Sequence, residues 1–441
     1  MPLAVYCALL VALLPALPLW LDEIIDLQSV RDLSFSQLLA AIPQNSGGVP
    51  LGYITQFAAV HLLGFSKYSG RLPSAVFSAA AIAGVYYLAK PYGRKAAICA
   101  ACLMALFPLQ LRYAVEARPY SQALCLSIWA TVVFLLFHEK PRLPVFAAYT
   151  ALVIACIYTQ PYSIFVPIAH ATWLLFTPGQ RKKAIWVCAA IVIAGLAFLP
   201  WYGFASSAWR ESLDGYSFSF GWKSSLLVLK ELTGAGYAGT IVVVAIACYG
   251  FRESKSLTPS RFLHLAGIIV PLLLAIIADA IINYFLAIRQ FIYVAPFLAI
   301  LCGVGVARLL DKKPIWTRGI VAALFLILIA GDFHYFLKPH ENWEQAARYL
   351  DRETSNDSRC LIFIPEGSIR FYSFFAPNLA AHATPDYMRC NRVTVAMSPY
   401  DVRSREPIAQ LVRAGYRLVS QTSFNGPQIF EYRATESVDY R

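Results

Sequence analysis

Charge is scarce in this chain. Only 14% of its residues are Asp, Glu, Lys or Arg and 58% are hydrophobic, whereas an ordinary soluble domain carries about 25% charged residues. With a mean hydropathy of +0.56, that scarcity excludes a single water-soluble globule and points to a polytopic membrane protein. The net charge is +12, a value that suggests nucleic acid in a soluble protein. Here the distribution of charge along the chain matters more, and no nucleic-acid partner is expected. Histidine is rare too, at seven residues. No Cys-x-x-Cys pair adjoins a second pair or a histidine, and Cys99 and Cys102 lie inside an apolar run, so no zinc site is expected. Of the ten cysteines, eight lie in apolar runs, where the thiol acts as a small hydrophobe. The other two, Cys360 and Cys390, lie in the tail. Facing an oxidising compartment they could pair, but spacing alone leaves that open. The first run, about 3–20, lacks a basic leader, and LPLWLDE is not a small-residue cleavage site. It reads as a retained span rather than a signal peptide.

Long apolar runs are present in number. A helix needs about 20 apolar residues to cross the hydrocarbon core. Runs near 3–20, 72–89, 96–112, 119–137, 143–159, 161–177, 184–203, 236–251, 262–279, 286–307 and 315–336 predict about 11 transmembrane helices. The run 50–65 opens on Pro50 and contains His61, and loop charge decides its place. If it lies on the surface, the loops 90–95, 138–142, 178–183, 252–261 and 308–318 hold fifteen basic residues against three acidic ones and face the cytoplasm. If it spans, every later loop flips and the bias inverts. The N-terminus is therefore expected inside and the tail outside.

The first outer loop, 21–71, then holds two amphipathic surface helices, about 26–42 and 50–65. SFSQLLAAI carries apolar residues at 35, 38, 39 and 42, a helical stripe that Ser34 is placed to cap. A second outer loop, 204–235, is rich in Ser, Gly and aromatics and is expected to be mobile. The tail has no long apolar run. ENWEQAARYLDRE reads as a helix, CLIFIP as a buried strand, PIAQLVRAG as a helix ending on Gly415, and YRLVSQTSF with QIFEYR as a strand pair joined through NGP. The expected architecture is an all-α membrane domain, 1–337, followed by a small α/β domain, 338–441, outside the membrane.

This topology gathers charge on the outer face. Asp22 and Glu23 end the first span, Arg71 opens the next, and Glu116 and Arg118 with Tyr120 occupy YAVEARPYSQ. Gln160 and Tyr162 lie in YTQPY, and Arg289 lies in YFLAIRQF. Each has a plainer explanation: an interfacial flank for Asp22 and Glu23, a snorkelling anchor for Arg71, a local ion pair for Glu116 and Arg118, an aromatic belt for the tyrosines. His61 and His170 read as core or interfacial. The recurrence of acids and arginines at one interface favours a site. Arginine grips phosphate through a planar fork, and a carboxylate at the same depth can take a proton from an acceptor hydroxyl. Sugar transfer from a lipid phosphate needs both.

WLDE at 20–23, VPLGY at 49–53, GRLPSAVFS at 70–78, YAVEARPYSQAL at 113–124 and AIRQF at 287–291 together resemble the GT-C glycosyltransferases. The likeness is to bacterial relatives of the dolichyl-phosphate-mannose protein mannosyltransferases and of the lipid A aminoarabinose transferase. DFHYFLKP at 332–339 resembles the entry to the outer domain in such proteins. The resemblance covers about residues 1–340. It implies Asp22 as catalytic base and Glu23 as its helper in ordering acceptor or loop. It also implies Arg71, Arg118 and Arg289 at the donor phosphate, with Glu116, Tyr120, Gln160 and Tyr162 lining the substrate. It implies an inverting hexosyl or pentosyl transferase. The donor would be a polyprenyl-phosphate sugar and the acceptor a glycan, lipid or protein, met at the periplasmic face of a bacterial inner membrane. Ile24 and Ile25 follow the Asp-Glu pair where the aminoarabinose enzymes have an arginine soon after, and NSGGVP stands where they have a lysine. That particular transfer is not supported. Gln160 stands where many relatives have histidine. No cofactor is expected, although a divalent metal stays open. A transporter or lipid flippase is the alternative. It predicts charges near the bilayer midplane and an internal repeat, and the chain shows no convincing repeat.

Overall fold

The computed structural model describes residues 2–45, 48–213, 221–234, 236–254, 260–282, 287–312, 314–338, 340–355, 360–384, 386–400 and 406–435. Its contacts divide into two compact units. One comprises 1–14 with 29–337, and the other 15–28 with 338–441. Residues 15–28, with Asp22 and Glu23, group with 338–441 rather than with the helices around them in sequence.

The larger unit is helical. Among the described residues six helices are long and apolar enough to cross a membrane, and up to eight if each of two bent pairs is one span. The bent pairs are Arg94–Ala105 with Pro108–Ala114, at 64°, and Leu226–Thr233 with Gly236–Glu253, at 91°. Each of the eleven expected runs contains a helix, although the first, 3–20, is helical only as far as Leu13. Three of them, Leu3–Leu13, Leu143–Thr159 and Pro161–Phe176, are shorter than a full span, so the count of eleven is not established. The break between Ala105 and Pro108 has a local cause: Pro108 opens the second helix and cannot donate to the turn before it.

Burial sorts these helices. The window within Ile288–Asp311 is 94% buried, against 22% for Arg181–Trp209 and for Ile315–Leu337. The first is the core of the bundle, and the other two present apolar faces outward. Ala295–Asp311 packs on Gly236–Glu253 and Arg94–Ala105 through small residues. A Cβ on Gly303 would stand 2.5 Å from the Ala100 nitrogen, and one on Gly250 or Gly305 would strike the facing backbone. Backbones in lipid approach this closely only where a side chain is missing. His170 is core, as expected. It is fully buried, stacked on Phe134 at 4.3 Å, and hydrogen-bonded to Thr131 and Tyr149, each at 3.0 Å.

The loop expectations hold in part. Leu21–Asp32 and Phe35–Ala41 are two helices rather than one over 26–42. They are divided at Ser34, whose backbone nitrogen donates to Gln37 Oε1 at 3.0 Å, one half of a capping box. Pro50–Leu63 is helical as expected. The reading of 204–235 as a loop is a correction. The helix Arg181–Leu213 runs into it and Gly221–Thr233 fills much of the rest, because LLVLKEL is a run of good helix formers. Residues 214–220 lie outside the described residues.

In the smaller unit four strands, β1 (Cys360–Ile364), β2 (Arg392–Met397), β3 (Tyr416–Ser423) and β4 (Gln428–Ala434), form one sheet in the order β1-β2-β4-β3. β1 and β2 are parallel, and the other neighbours are antiparallel. The hairpin turns at Asn425 (φ 55°) and Gly426 (φ 155°), the NGP expected to do so. One face of the sheet buries Val393, Val395, Tyr416 and Tyr432 with Leu411. Near the other face, the helix Trp343–Ser355 buries Trp343, Ala346, Ala347 and Leu350, a 3.6-period stripe. Cys360 and Cys390 are joined in a disulfide with a Cα separation of 6.0 Å, which closes the crossover from β1 to β2.

Candidate functional site

The turn between the helices Pro108–Ala114 and Tyr120–Glu139 buries both a carboxylate and a guanidinium, Glu116 and Arg118. It is tight: the Arg118 nitrogen donates to the Glu116 oxygen at 2.8 Å. The helix Lys67–Ala89 holds the turn, with Ser74 Oγ donating to the Arg118 carbonyl at 2.9 Å. Pro50–Leu63 presses on it as well. A Cβ on Gly52 would stand 2.7 Å from Pro119 Cβ, and Thr55 donates to Gln122 Oε1 at 3.0 Å. Gly52, Thr55, Ser74, Arg118 and Gln122 line a narrow cleft. The motifs VPLGY, GRLPS and EARPY are thus one assembly.

Two arginines meet on one tyrosine. Arg289 Nε donates to the Tyr120 hydroxyl at 2.8 Å. The guanidinium carbons of Arg118 and Arg289 lie 5.8 and 5.9 Å from the Tyr120 ring centroid, within cation–π range. Arg289 arrives from the short helix Ile288–Val294, which touches both Tyr120–Glu139 and the turn Pro161–Ile164. Burial makes this gathering expensive. Arg118 is 2% exposed and Arg71 1%, and taking a charge out of water costs several kcal/mol before partners offset it.

Arg71 is therefore no snorkelling anchor. Its Nη1 donates to the Leu14 carbonyl at 2.7 Å. Glu116 pairs with Arg112, one helical turn before it, with Nε to Oε1 at 2.8 Å. It also accepts from the Tyr335 hydroxyl at 3.0 Å. Tyr113 and Tyr120 pack with centroids 4.6 Å apart, so the two charged clusters are joined through aromatic rings. Arg112, Tyr113 and Tyr335 went unassigned in the sequence. Arg112 had a signal, its i, i+4 spacing to Glu116, hidden by its place in an apolar run. Tyr335 lies in DFHYFLKP, far off in sequence, and nothing local announces its bond to Glu116.

Gln160 Oε1 accepts from the Tyr162 nitrogen at 2.7 Å and so caps the turn Pro161–Ile164. Asp22 and Glu23 occupy the first turn of Leu21–Asp32, where the helix dipole favours carboxylates. Glu23 is buried and accepts from the Trp20 nitrogen at 3.4 Å. Both belong to the smaller unit.

Residues 49–204 match the dolichyl-phosphate-mannose-protein mannosyltransferase family. No curated protein sequence matches this chain. Among solved structures, ArnT from Cupriavidus metallidurans in the apo state superposes with a TM-score of 0.60 at 13% identity, over 97% of this chain and 97% of that one. ArnT from the same organism bound to undecaprenyl phosphate gives a TM-score of 0.58 at 13% identity, over the same shares. The fold is shared along nearly the full length of both chains, and the resemblance to GT-C glycosyltransferases stands.

Proposed function

We propose that this chain is a multi-pass membrane glycosyltransferase that moves a sugar from a polyprenyl-phosphate donor to an acceptor hydroxyl on the outer, periplasmic face. The observation that carries the reading is the pair of arginines, Arg118 and Arg289, gathered on Tyr120 inside a unit of membrane-spanning helices. Two fixed guanidinium groups suit a phosphate that stays charged while its prenyl chain remains in lipid. That the similar ArnT binds undecaprenyl phosphate supports the same class of carrier here. Fifteen basic residues in the loops taken as cytoplasmic support the outer face as the working side.

In this mechanism Asp22 takes the proton of the acceptor hydroxyl. The acceptor oxygen attacks the anomeric carbon from the side opposite the phosphate, so the configuration inverts. The bond from that carbon to the phosphate oxygen breaks, and the lipid phosphate leaves with the electron pair. Arg118 and Arg289, together with Arg71, stabilise the charge on the leaving phosphate. Donors fixed in place before the charge develops supply most of the rate enhancement in many enzymes. Glu116, held by Arg112 and Tyr335, fixes the turn that presents Arg118. Glu23 orders the first turn beside Asp22, while Gln160 and Tyr162 border the sugar. Hexosyl and pentosyl donors satisfy the same grip.

The test supplies labelled polyprenyl-phosphate sugars to the reconstituted chain and to Asp22→Asn. The native chain is expected to release or transfer label, and Asp22→Asn to lose activity about 100-fold or more, the usual share of a general base. Equal turnover by both would remove Asp22 from the mechanism. Movement of intact lipid across the bilayer without release of label would favour the flippase reading.

A further inference from the structure

The helix Ile315–Leu337 turns most of its surface outward, and its buried residues are Thr317, Val321, Leu324, Leu328 and Asp332. They form one stripe at helical spacing, and the stripe ends on a carboxylate. An ionisable group inside a membrane-spanning segment is costly and by default a mark of function. Asp332 is 8% exposed, and no cation among the described residues neutralises it. Three other helices bring polar groups to the same place. Pro2–Leu13 supplies Tyr6, Lys67–Ala89 supplies Ser78 and Pro108–Ala114 supplies Gln110, all buried. The Tyr6 and Ser78 hydroxyls are 2.6 Å apart, and Gln110 Nε2 donates to Ser78 Oγ at 2.6 Å. The charge of Asp332 acts on the Tyr6 phenol, which joins the four groups in one cluster. Gln110 Oε1 is buried there and has no hydrogen-bond partner among the described residues. The backbone beside the cluster has no slack: a Cβ on Gly331 would stand 3.2 Å from Pro108 Cγ. One turn beyond Asp332, Tyr335 donates to Glu116. Ile315–Leu337 thus meets Pro108–Ala114 at its start, through Gly331, and the turn beyond its end, through Tyr335.

We propose that Asp332 is a positioning residue of the donor site. Its carboxyl, with the cluster of Tyr6, Ser78 and Gln110, fixes the orientation of Pro108–Ala114. That short helix in turn sets where the Glu116–Arg118 turn presents its guanidinium. A buried polar network is directional and so selects one arrangement of the helices that carry it. Stability alone does not select such a residue, because apolar replacements for buried charges are often neutral or stabilising. Leucine at 332 therefore leaves the fold as stable as before and loosens the turn, an opposition that separates positioning from mere support. That the turn receives a lipid phosphate rests on the transferase reading above, whereas the coupling of residue 332 to the turn does not.

The experiment compares the full native chain in detergent with Asp332→Leu and Asp332→Asn by three readouts. These are thermal unfolding, backbone amide exchange over 113–118 by mass spectrometry, and binding of undecaprenyl phosphate. Asp332→Leu is expected to keep or raise the Tm, to speed exchange in the turn about tenfold and to weaken binding about tenfold. Asp332→Asn keeps hydrogen-bonding atoms at the same place and is expected to stay within about threefold of native in exchange and binding. His334→Gln, at an exposed position of the same helix, is the control and is expected to change none of the three. A lowered Tm in Asp332→Leu with faster exchange along the whole chain would make the residue a structural support and overturn the proposal. Unchanged exchange over 113–118 would overturn it as well. So would an equal loss in Asp332→Asn and Asp332→Leu, which would remove hydrogen bonding as the route. A native chain that binds no undecaprenyl phosphate would count against the transferase reading, and the exchange and Tm results would still decide the role of Asp332.

Discussion

The two units of this protein hold arginine in opposite ways. In the helical unit Arg71 and Arg118 are buried, 1% and 2% exposed, and Arg289 is fastened to a tyrosine. In the smaller unit Arg417 and Arg433 are exposed on the sheet surface. A buried guanidinium must be held by partners or the fold suffers. An exposed one adds or removes little, because water and salt screen it. The buried set therefore marks a place where geometry is specified, and the exposed pair a place where charge is displayed. A fixed pair of guanidinium groups suits one phosphate at one position.

Breaking the buried set should produce the largest effect. Arg118→Lys keeps the charge and loses the fork, so the donor KM is expected to rise about tenfold or more, measured with labelled donor in liposomes. The same change at Arg417 alters only a surface charge, and a comparable loss there would erase the contrast between the units. A smaller effect is expected at Glu116. Glu116→Gln removes the partner of Arg112, whose side chain is 32% exposed. The expected cost is about 1–3 kcal/mol, reduced from the fully buried case by that exposure, and thermal unfolding in detergent reads it. An unchanged Tm would mean that the Arg112 pair does not hold the turn.

Much of this was legible in the sequence because composition and period carry it. Every apolar run contains a helix, as expected where lipid leaves the backbone little alternative to internal hydrogen bonding. Lengths were less legible: Leu143–Thr159 and Pro161–Phe176 are apolar enough but stop short, at prolines and turns that sequence places only approximately. In the tail, the hairpin was announced by NGP, but β2 was missed. RVTVAM alternates as a strand should, and its partners β1 and β4 lie about 30 residues away on either side, so no turn flags it. At the candidate site, the residues in short motifs were legible and their pairings were not. Adjacency sets Glu116 beside Arg118, and the structure pairs it with Arg112, one turn back. Tyr335 closes that pair from 219 positions away. The grouping of residues 15–28 with the tail likewise has no local pattern behind it.

The central claim is the donor, and the most direct measurement offers the purified chain in liposomes a choice between a polyprenyl-phosphate sugar and the matching nucleotide sugar, each labelled in the sugar. Label is expected to leave the lipid carrier alone, with free polyprenyl phosphate formed in step. Label leaving only the nucleotide, or an intact lipid carrier after acceptors of every class have been supplied, would contradict the claim.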